Sequence, residues 1–330
     1  MSKVVIHIGT HKTATTTIQD MFWKNSRVLA KHGLIYPRIS RRVMGHHGLV
    51  FFWAGMGKPY KFKKGGRAAL SAIAKKYAKL DTTVFLSSEE FSRTSPESAE
   101  NFAELRDLLG AFDEIEIICT LRTQWQFVQS VYLEISKKNM PLRPPALVKT
   151  VIETGMYKGL CVDYNLLLDN LEKAFAPEQI TLLDFDRCQQ SEGGILGHLL
   201  QHLGVDIEVG ALQSINYGRS NVSPLSLASW VANILSEPNV ASSVLVQRIE
   251  LIMREKYGAD VRPCLFTHDE FNALKGHFNV KNKELQMRRA TVQPGFAITE
   301  ASTKGLTLYR HEIDSSFWVQ LARSLVANPL

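Results

Sequence analysis

The sequence predicts an α/β protein: a three-layer fold in which a parallel sheet is flanked by helices, followed by a helical C-terminal extension. Three observations predict it. Short apolar runs alternate with helical periodicity between residues 3 and 205, the rhythm of βαβ units. The first run, Val4-Val5-Ile6-His7-Ile8, gives way to Gly9 and to a hydroxyl cluster around Lys12 before a helix begins. That strand–loop–helix order places free N–H groups and a positive helix end where an oxyanion can sit. From about Ser223 onward the strand rhythm stops and helical spacing continues alone.

Taken in order, Ile18, Met21, Phe22, Val28 and Leu29 predict one helix from Thr15 to about Lys31, stopped by Gly33. Leu34-Ile35-Tyr36 is a short extended piece ended by Pro37. Residues 38–66, rich in Arg, Lys, Gly and His, read as a surface loop region with a short helix. A helix from Ala68 to Leu80 precedes a strand over Thr83–Ser88, and a helix over Ser98–Gly110 precedes a buried strand over Glu114–Leu121. Helices follow at Gln124–Lys138, Ala146–Thr154 and Asp163–Phe175, then a strand over Ile180–Phe185 and a helix from Gly194 to Leu203. The last third reads as helices over Pro224–Leu235, Val244–Tyr257, His268–Asn282 and Ser315–Val326, with no strand of its own. The predicted organisation is a core over residues 1–215 and a mainly helical extension or lid over 216–330 that completes the same domain.

With 45% apolar and 22% charged residues among 330, the composition is that of a soluble globular protein. Lys and Arg exceed Asp and Glu, giving a net charge of +7, which favours anionic ligands. Cys119, Cys161, Cys188 and Cys264 lie far apart without CxxC spacing; this predicts no zinc or other metal site and no disulfide framework. No segment before the first strand has room for a signal peptide, and the most apolar window, Leu49–Gly57, is too short to span a bilayer. A cytoplasmic protein is expected.

Two constellations carry the chemistry. In the first, Lys12-Thr13-Ala14-Thr15-Thr16-Thr17 offers one cation, several hydroxyls and a helix start. It is not a Walker A loop, which needs four residues between two glycines and then Lys-Ser/Thr; here Lys12 comes three positions after Gly9. Three consecutive threonines are poor helix formers, so a ligand-binding reason for them is expected. Ala14 is open to two readings: at positive φ alanine is strained, whereas inside the helix it surpasses glycine. In the second, Arg122 ends the apolar strand and Ser130 follows eight residues later on the next helix; a guanidinium fork and a hydroxyl suit a second phosphate.

Together these motifs resemble the sulfotransferases that use PAPS, 3′-phosphoadenosine 5′-phosphosulfate, whose fold is P-loop NTPase-like. In that superfamily a Lys-Ser/Thr-Gly-Thr-Thr loop holds the 5′-phosphosulfate, and an Arg and a Ser eight residues apart hold the 3′-phosphate. The resemblance implies that Lys12, Thr13, Thr15 and Thr16 bind PAPS, with Thr17 beside them and Ala14 departing from glycine. It likewise implies that Arg122 and Ser130 grip the 3′-phosphate of PAPS and of the product 3′,5′-ADP. The likeness covers residues 3–205, the later part only as strand–helix rhythm. Similar enzymes place a His or Glu base near the end of the strand before Ser87-Ser88-Glu89-Glu90. Glu89 falls there and ranks above His47, with His46 a further candidate; Glu90 is assigned to a basic neighbour. Phe185 is a candidate for stacking on adenine, against a core role, and Arg219 resembles a late basic segment that helps hold the 3′-phosphate.

The implied reaction is in-line transfer of a sulfuryl group to a hydroxyl or amine, without metal. The acceptor, whether small molecule, glycan or lipid, is not legible, and neither is the oligomeric state. Two other classes remain open. A P-loop-type kinase or NTPase requires a Walker A glycine and an acidic Mg²⁺ ligand, but the strand before Arg122 ends in Leu121. A non-catalytic polyanion or nucleic-acid binder would use the basic segment 38–67, where Phe51, Phe52, Trp53, Tyr60 and Phe62 are interleaved with lysines; no nucleic-acid partner is expected.

Overall fold

The structure, a computed structural model, describes residues 1–39, 44–51, 60–94, 98–214 and 223–328. In chain order its elements begin with β1 (Lys3–His7), α1 (Thr15–Lys24), α2 (Ser26–Lys31), β2 (Leu34–Ile35), α3 (Gly65–Tyr77) and β3 (Thr83–Ser87). There follow α4 (Ser98–Leu109), β4 (Glu114–Leu121), α5 (Gln124–Ser136), α6 (Pro144–Thr154), β5 (Met156–Tyr157) and β6 (Leu160–Cys161). Next come α7 (Tyr164–Glu172), β7 (Ile180–Asp184), α8 (Phe185–Gln190), α9 (Gly194–His202), α10 (Ser226–Ser236) and α11 (Ser243–Tyr257). The chain closes with β8 (Pro263–Cys264), α12 (His268–Arg289), β9 (Leu308–Tyr309) and α13 (Ser315–Ala327).

These elements form two compact units. The first comprises Met1–Thr123, Met156–Ser220 and Val280–Thr299; the second comprises Gln124–Gly155, Asn221–Asn279 and Glu300–Leu330. In the first, a five-stranded sheet has the order β2-β3-β1-β4-β7, and every neighbouring pair is parallel. Period-two alternation sends the side chains to two cores. Val4, Ile6, Val84, Leu86, Ile117 and Cys119 face one core with α3, α4 and α7. Val5, Phe85, Ile118 and Leu183 face the other with α1, α2 and α9. This is the expected three-layer α/β arrangement. The outer edge of β7 is occupied by the Gln293 side chain: its amide accepts from Leu182 N–H at 3.0 Å and donates to the Leu182 carbonyl at 2.6 Å.

The helix expected over Thr15–Lys31 is two helices, parted at Asn25. The buried Asn25 amide donates to the carbonyls of Met21, at 2.9 Å, and Gln213, at 3.1 Å. A side chain competing for backbone groups breaks the ladder there. The short helix expected within residues 38–66 is a 3₁₀ turn over residues 47–50, and it is buried rather than at the surface. Lys63 and Lys64 line an open groove of about 680 Å³ together with Ile35, Ile39, Ala69 and Ile73.

In the second unit α10, α11 and α13 close a core of Leu227, Val231, Ile249, Met253, Phe317 and Leu321. Contrary to the sequence reading, this part of the chain contains strands: β8 and β9 pair in parallel, Cys264 opposite Tyr309. At two residues each they are too short for periodicity to reveal. α12 outruns its expected end at Asn282 by seven residues, reaching Arg289.

Candidate active site

β1 lies at the centre of the sheet, and its C-terminal end opens into the Ile8–Ala14 loop. Ligands gather at such strand ends in parallel α/β sheets. The loop hangs on β4: Ile8 N–H donates to the Ile118 carbonyl at 2.9 Å and Thr10 N–H to the Thr120 carbonyl at 2.8 Å. Thr10 Oγ1 donates to the same Thr120 carbonyl, and Thr13 Oγ1 to the Thr10 carbonyl at 2.6 Å. Thr13 and Thr15 are buried, Thr17 is half-buried and Thr16 is exposed. A Cβ on Gly9 would stand 2.8 Å from Thr15 Cγ2, at φ +29°, so both crowding and backbone require glycine there.

Two non-glycine residues of this loop are left-handed: Lys12 at φ 68° and Ala14 at φ 60°. Such conformations cost roughly 1–2 kcal/mol each in an L-residue and persist where surrounding structure imposes them. Ala14 is thus outside the helix, at its N-cap, with no side-chain cap; the first turn of α1 holds no acidic residue. The N–H groups of that turn and the positive end of the helix dipole therefore meet no carboxylate from α1 itself.

The Arg122 guanidinium, at the end of β4, donates to the Lys12 carbonyl at 3.2 Å and lies over the Phe185 ring, 5.3 Å from its centroid. Burial pulls the Arg122 pKa down, and the charge of Asp186 opposes that. Phe185 is half-buried at the start of α8. Ser130 is half-buried on α5, in the second unit. Arg219 lies outside the described residues.

The carboxylates after β3 sit in a 3₁₀ turn, Glu89–Ser92, and they have separate partners. Gln19 of α1 donates to Glu89 Oε2 at 2.9 Å, and His47 Nδ1 is 3.9 Å from that oxygen and 2.9 Å from Ser88 Oγ. Glu90 pairs with Arg93 and, at 3.4 Å, with His11 Nε2. Burial opposes ionisation of Glu90, but the hydrogen bond to His11 and the Arg93 guanidinium outweigh it and hold its pKa at about 2. Glu90 is thus a committed ion-pair partner.

His46 is committed as well. It is buried; its Nδ1 accepts from Ser87 N–H at 2.9 Å and its Nε2 faces the Pro37 carbonyl at 2.8 Å. Burial lowers its pKa to about 4 against the Pro37 bond, and His47 adds to the lowering. With both nitrogens engaged as a neutral imidazole, His46 acts as a strut. Sequence reasoning missed three residues here. His7 bridges Ser87 Oγ at 2.9 Å and Thr120 Oγ1 at 3.3 Å, and burial drives its pKa to about 4 with the Glu89 charge opposing. Gln19 orients Glu89. A Cβ on Gly45 would lie 2.4 Å from Gln19 Oε1 and 2.6 Å from His47 Nε2. The signals were a histidine inside an apolar strand and a glutamine on the buried face of a helix.

No family model matches the chain, and no curated protein matches it. Two solved structures are similar to it. One is a sulfotransferase from Alicyclobacillus acidocaldarius, 14% identical with a TM-score of 0.39 over 70% of this chain and 90% of that one. The other is the sulfotransferase domain of the Synechococcus PCC 7002 olefin synthase, 9% identical with a TM-score of 0.34 over 76% of this chain and 94% of that one. Likeness at this level leaves the assignment to the residues themselves.

Proposed function

We propose that this protein is a PAPS-dependent sulfotransferase, transferring a sulfuryl group to a hydroxyl or amine of a small-molecule, glycan or lipid acceptor. One arrangement carries the reading: a left-handed loop at Lys12–Ala14 opens α1 without an acid in its first turn, is bonded to Arg122, and is linked through Gln19 to Glu89. The donor set fits a nucleotide with two anionic groups. The α1 N–H groups, Lys12 and Thr13–Thr17 suit the 5′-phosphosulfate; Arg122 suits the 3′-phosphate, to which the resemblance also assigns Ser130 and Arg219. Phe185, whose ring Arg122 overlies on one side, is the aromatic group proposed to stack on adenine.

Bound PAPS would supply the sulfuryl group and a phosphate leaving group. Lys12 and the α1 terminus would hold the charge that develops on the phosphate oxygens, an interaction strongest in the transition state. Glu89 would take the acceptor proton on its carboxylate, held in place by Gln19, with His47 as the alternative base. Four free, buried cysteines support a reducing, cytoplasmic setting. Among the described residues no helix is long and apolar enough to cross a membrane.

The test is transfer from labelled PAPS across acceptor classes, with thermal shifts by PAPS and 3′,5′-ADP. Glu89→Gln is expected to lower turnover by about 10²–10⁴ and Lys12→Ala by about 10²–10³. Arg122→Ala is expected chiefly to weaken nucleotide binding, by about 10- to 100-fold. Absence of any shift by PAPS and 3′,5′-ADP overturns the assignment. Unchanged turnover in Glu89→Gln passes the base role to His47. Transfer that stops on EDTA addition would instead favour phosphoryl chemistry with Mg²⁺.

A further inference from the structure

The cysteine pattern predicts no zinc site, yet the second unit gathers a different donor set. The β8–β9 pairing sets Cys264 opposite Tyr309. The chain then runs from Cys264 to His268 at the start of α12, and from Tyr309 into the 3₁₀ turn Arg310–Glu312. Further bonds clamp the two segments together: Arg310 N–H donates to the Phe266 carbonyl at 3.2 Å and Arg310 Nε to the Leu265 carbonyl at 3.0 Å. His268 thereby meets His311 and Glu312.

We propose that His268, His311 and Glu312 bind one divalent transition-metal ion of the zinc class. One ligand atom from each lies within 4.8 Å of those of the other two. The His268 and His311 ring centroids are 4.9 Å apart, and His268 is braced edge-on against the Tyr309 ring at 3.8 Å. Glu312 is half committed: Oε2 accepts from Tyr309 N–H, leaving Oε1 3.9 Å from His268 Nε2. Among the described residues neither imidazole hydrogen-bonds to another group, and no Lys or Arg is paired with Glu312. The cationic side chain between them, Arg310, is drawn off to Glu270 and the Trp230 face.

A tetrahedral zinc with bonds near 2.0–2.2 Å needs its ligand atoms about 3.4 Å apart. Modest rotations of three exposed side chains close that gap, and water completes the shell. Two imidazoles and one carboxylate suit Zn²⁺, Ni²⁺ or Cu²⁺ rather than Mg²⁺ or Ca²⁺. The ion would tether the start of α12 to the segment before α13, and binding only the folded state it would raise thermal stability. This site does not depend on the sulfotransferase reading.

The experiment uses the full chain, stripped with chelator and dialysed, then titrated with Zn²⁺ against a chromogenic chelator of micromolar affinity while thermal unfolding is followed. One zinc per chain and an upward shift of the melting temperature are expected. His268→Ala and His311→Ala should each weaken binding by about tenfold or more and abolish the shift. His32→Ala, an exposed histidine of the first unit, should leave both unchanged. Failure to compete with the chelator, or zinc binding that survives the His268/His311 double variant, overturns the site.

Discussion

Ala14 adopts a conformation that glycine would hold without cost, and its neighbour Lys12 does the same two positions earlier. The usual penalty for Ala→Gly in or near a helix is therefore expected to reverse. Ala14→Gly should leave stability unchanged or raise it by up to about 1 kcal/mol, the left-handed strain outweighing the added entropy of the unfolded chain. Urea unfolding measures this; a loss of 1 kcal/mol or more would show that the loop is not strained at Ala14. Gly45 presents the opposite case, since its Cβ would have to push Gln19 and His47 aside. Gly45→Ala is expected to cost turnover, by about tenfold to a hundredfold through misplacement of Glu89, while nucleotide affinity stays within a few-fold of the parent. Equal losses in both would mean that the loop itself had moved. Lys12, Arg122 and Glu89 could be singled out in the sequence because each ends or follows an apolar run. Gln19 and Gly45 could not, because their roles come from packing between segments distant in sequence.

At the scale of elements, two neutral imidazoles are built into the sheet and the segment beside it: His7 within β1 and His46 against the end of β3. Burial holds both near pKa 4, from an ordinary 6.5. Below pH 6.5 the unfolded chain takes up protons that the folded chain refuses, so stability must fall as pH drops from about 6.5 toward 4. The loss is up to about 3 kcal/mol per histidine. Glu90 and Glu116, both held near 2, extend the decline as pH falls from about 4.5 toward 2. Urea midpoints at pH 7, 5 and 4 are expected to decrease in that order; identical midpoints at pH 7 and 5 would mean that neither histidine is buried neutral. The strands of the main sheet were legible because each buries both faces or alternates cleanly. The break at Asn25 was not, since asparagine interrupts a helix only when something such as Gln213 stands ready to receive it. The burial of the 3₁₀ turn over residues 47–50 was hidden by its basic surroundings.

At the scale of the molecule, the proposed boundary near residue 215 leaves out residues the first unit uses. Leu285, Phe296 and Ile298 lie in its core, and the buried Arg289 donates to the Pro177 carbonyl at 3.0 Å. Thr299 N–H and Oγ1 both reach Asp184, at the end of β7. A fragment of residues 1–215 is therefore expected not to fold alone: by circular dichroism and urea titration it should lack the cooperative transition of the full chain. A cooperative fragment would make residues 280–299 dispensable. Hydrophobic patterning reveals a helix over residues 268–282, but neither its last turns nor which sheet they serve, because return of a distant segment leaves no periodic trace.

That returning segment has one more effect. A parallel sheet has two open edges, and each is an invitation to another strand. At one edge β2 is only two residues long. At β7 a primary amide has the donor and acceptor of a peptide bond but no chain on either side, and Gln293 sets one against Leu182. It imitates a sixth strand one residue in length and stops there, so growth of the sheet by self-association would first have to evict a side chain that already satisfies both hydrogen bonds.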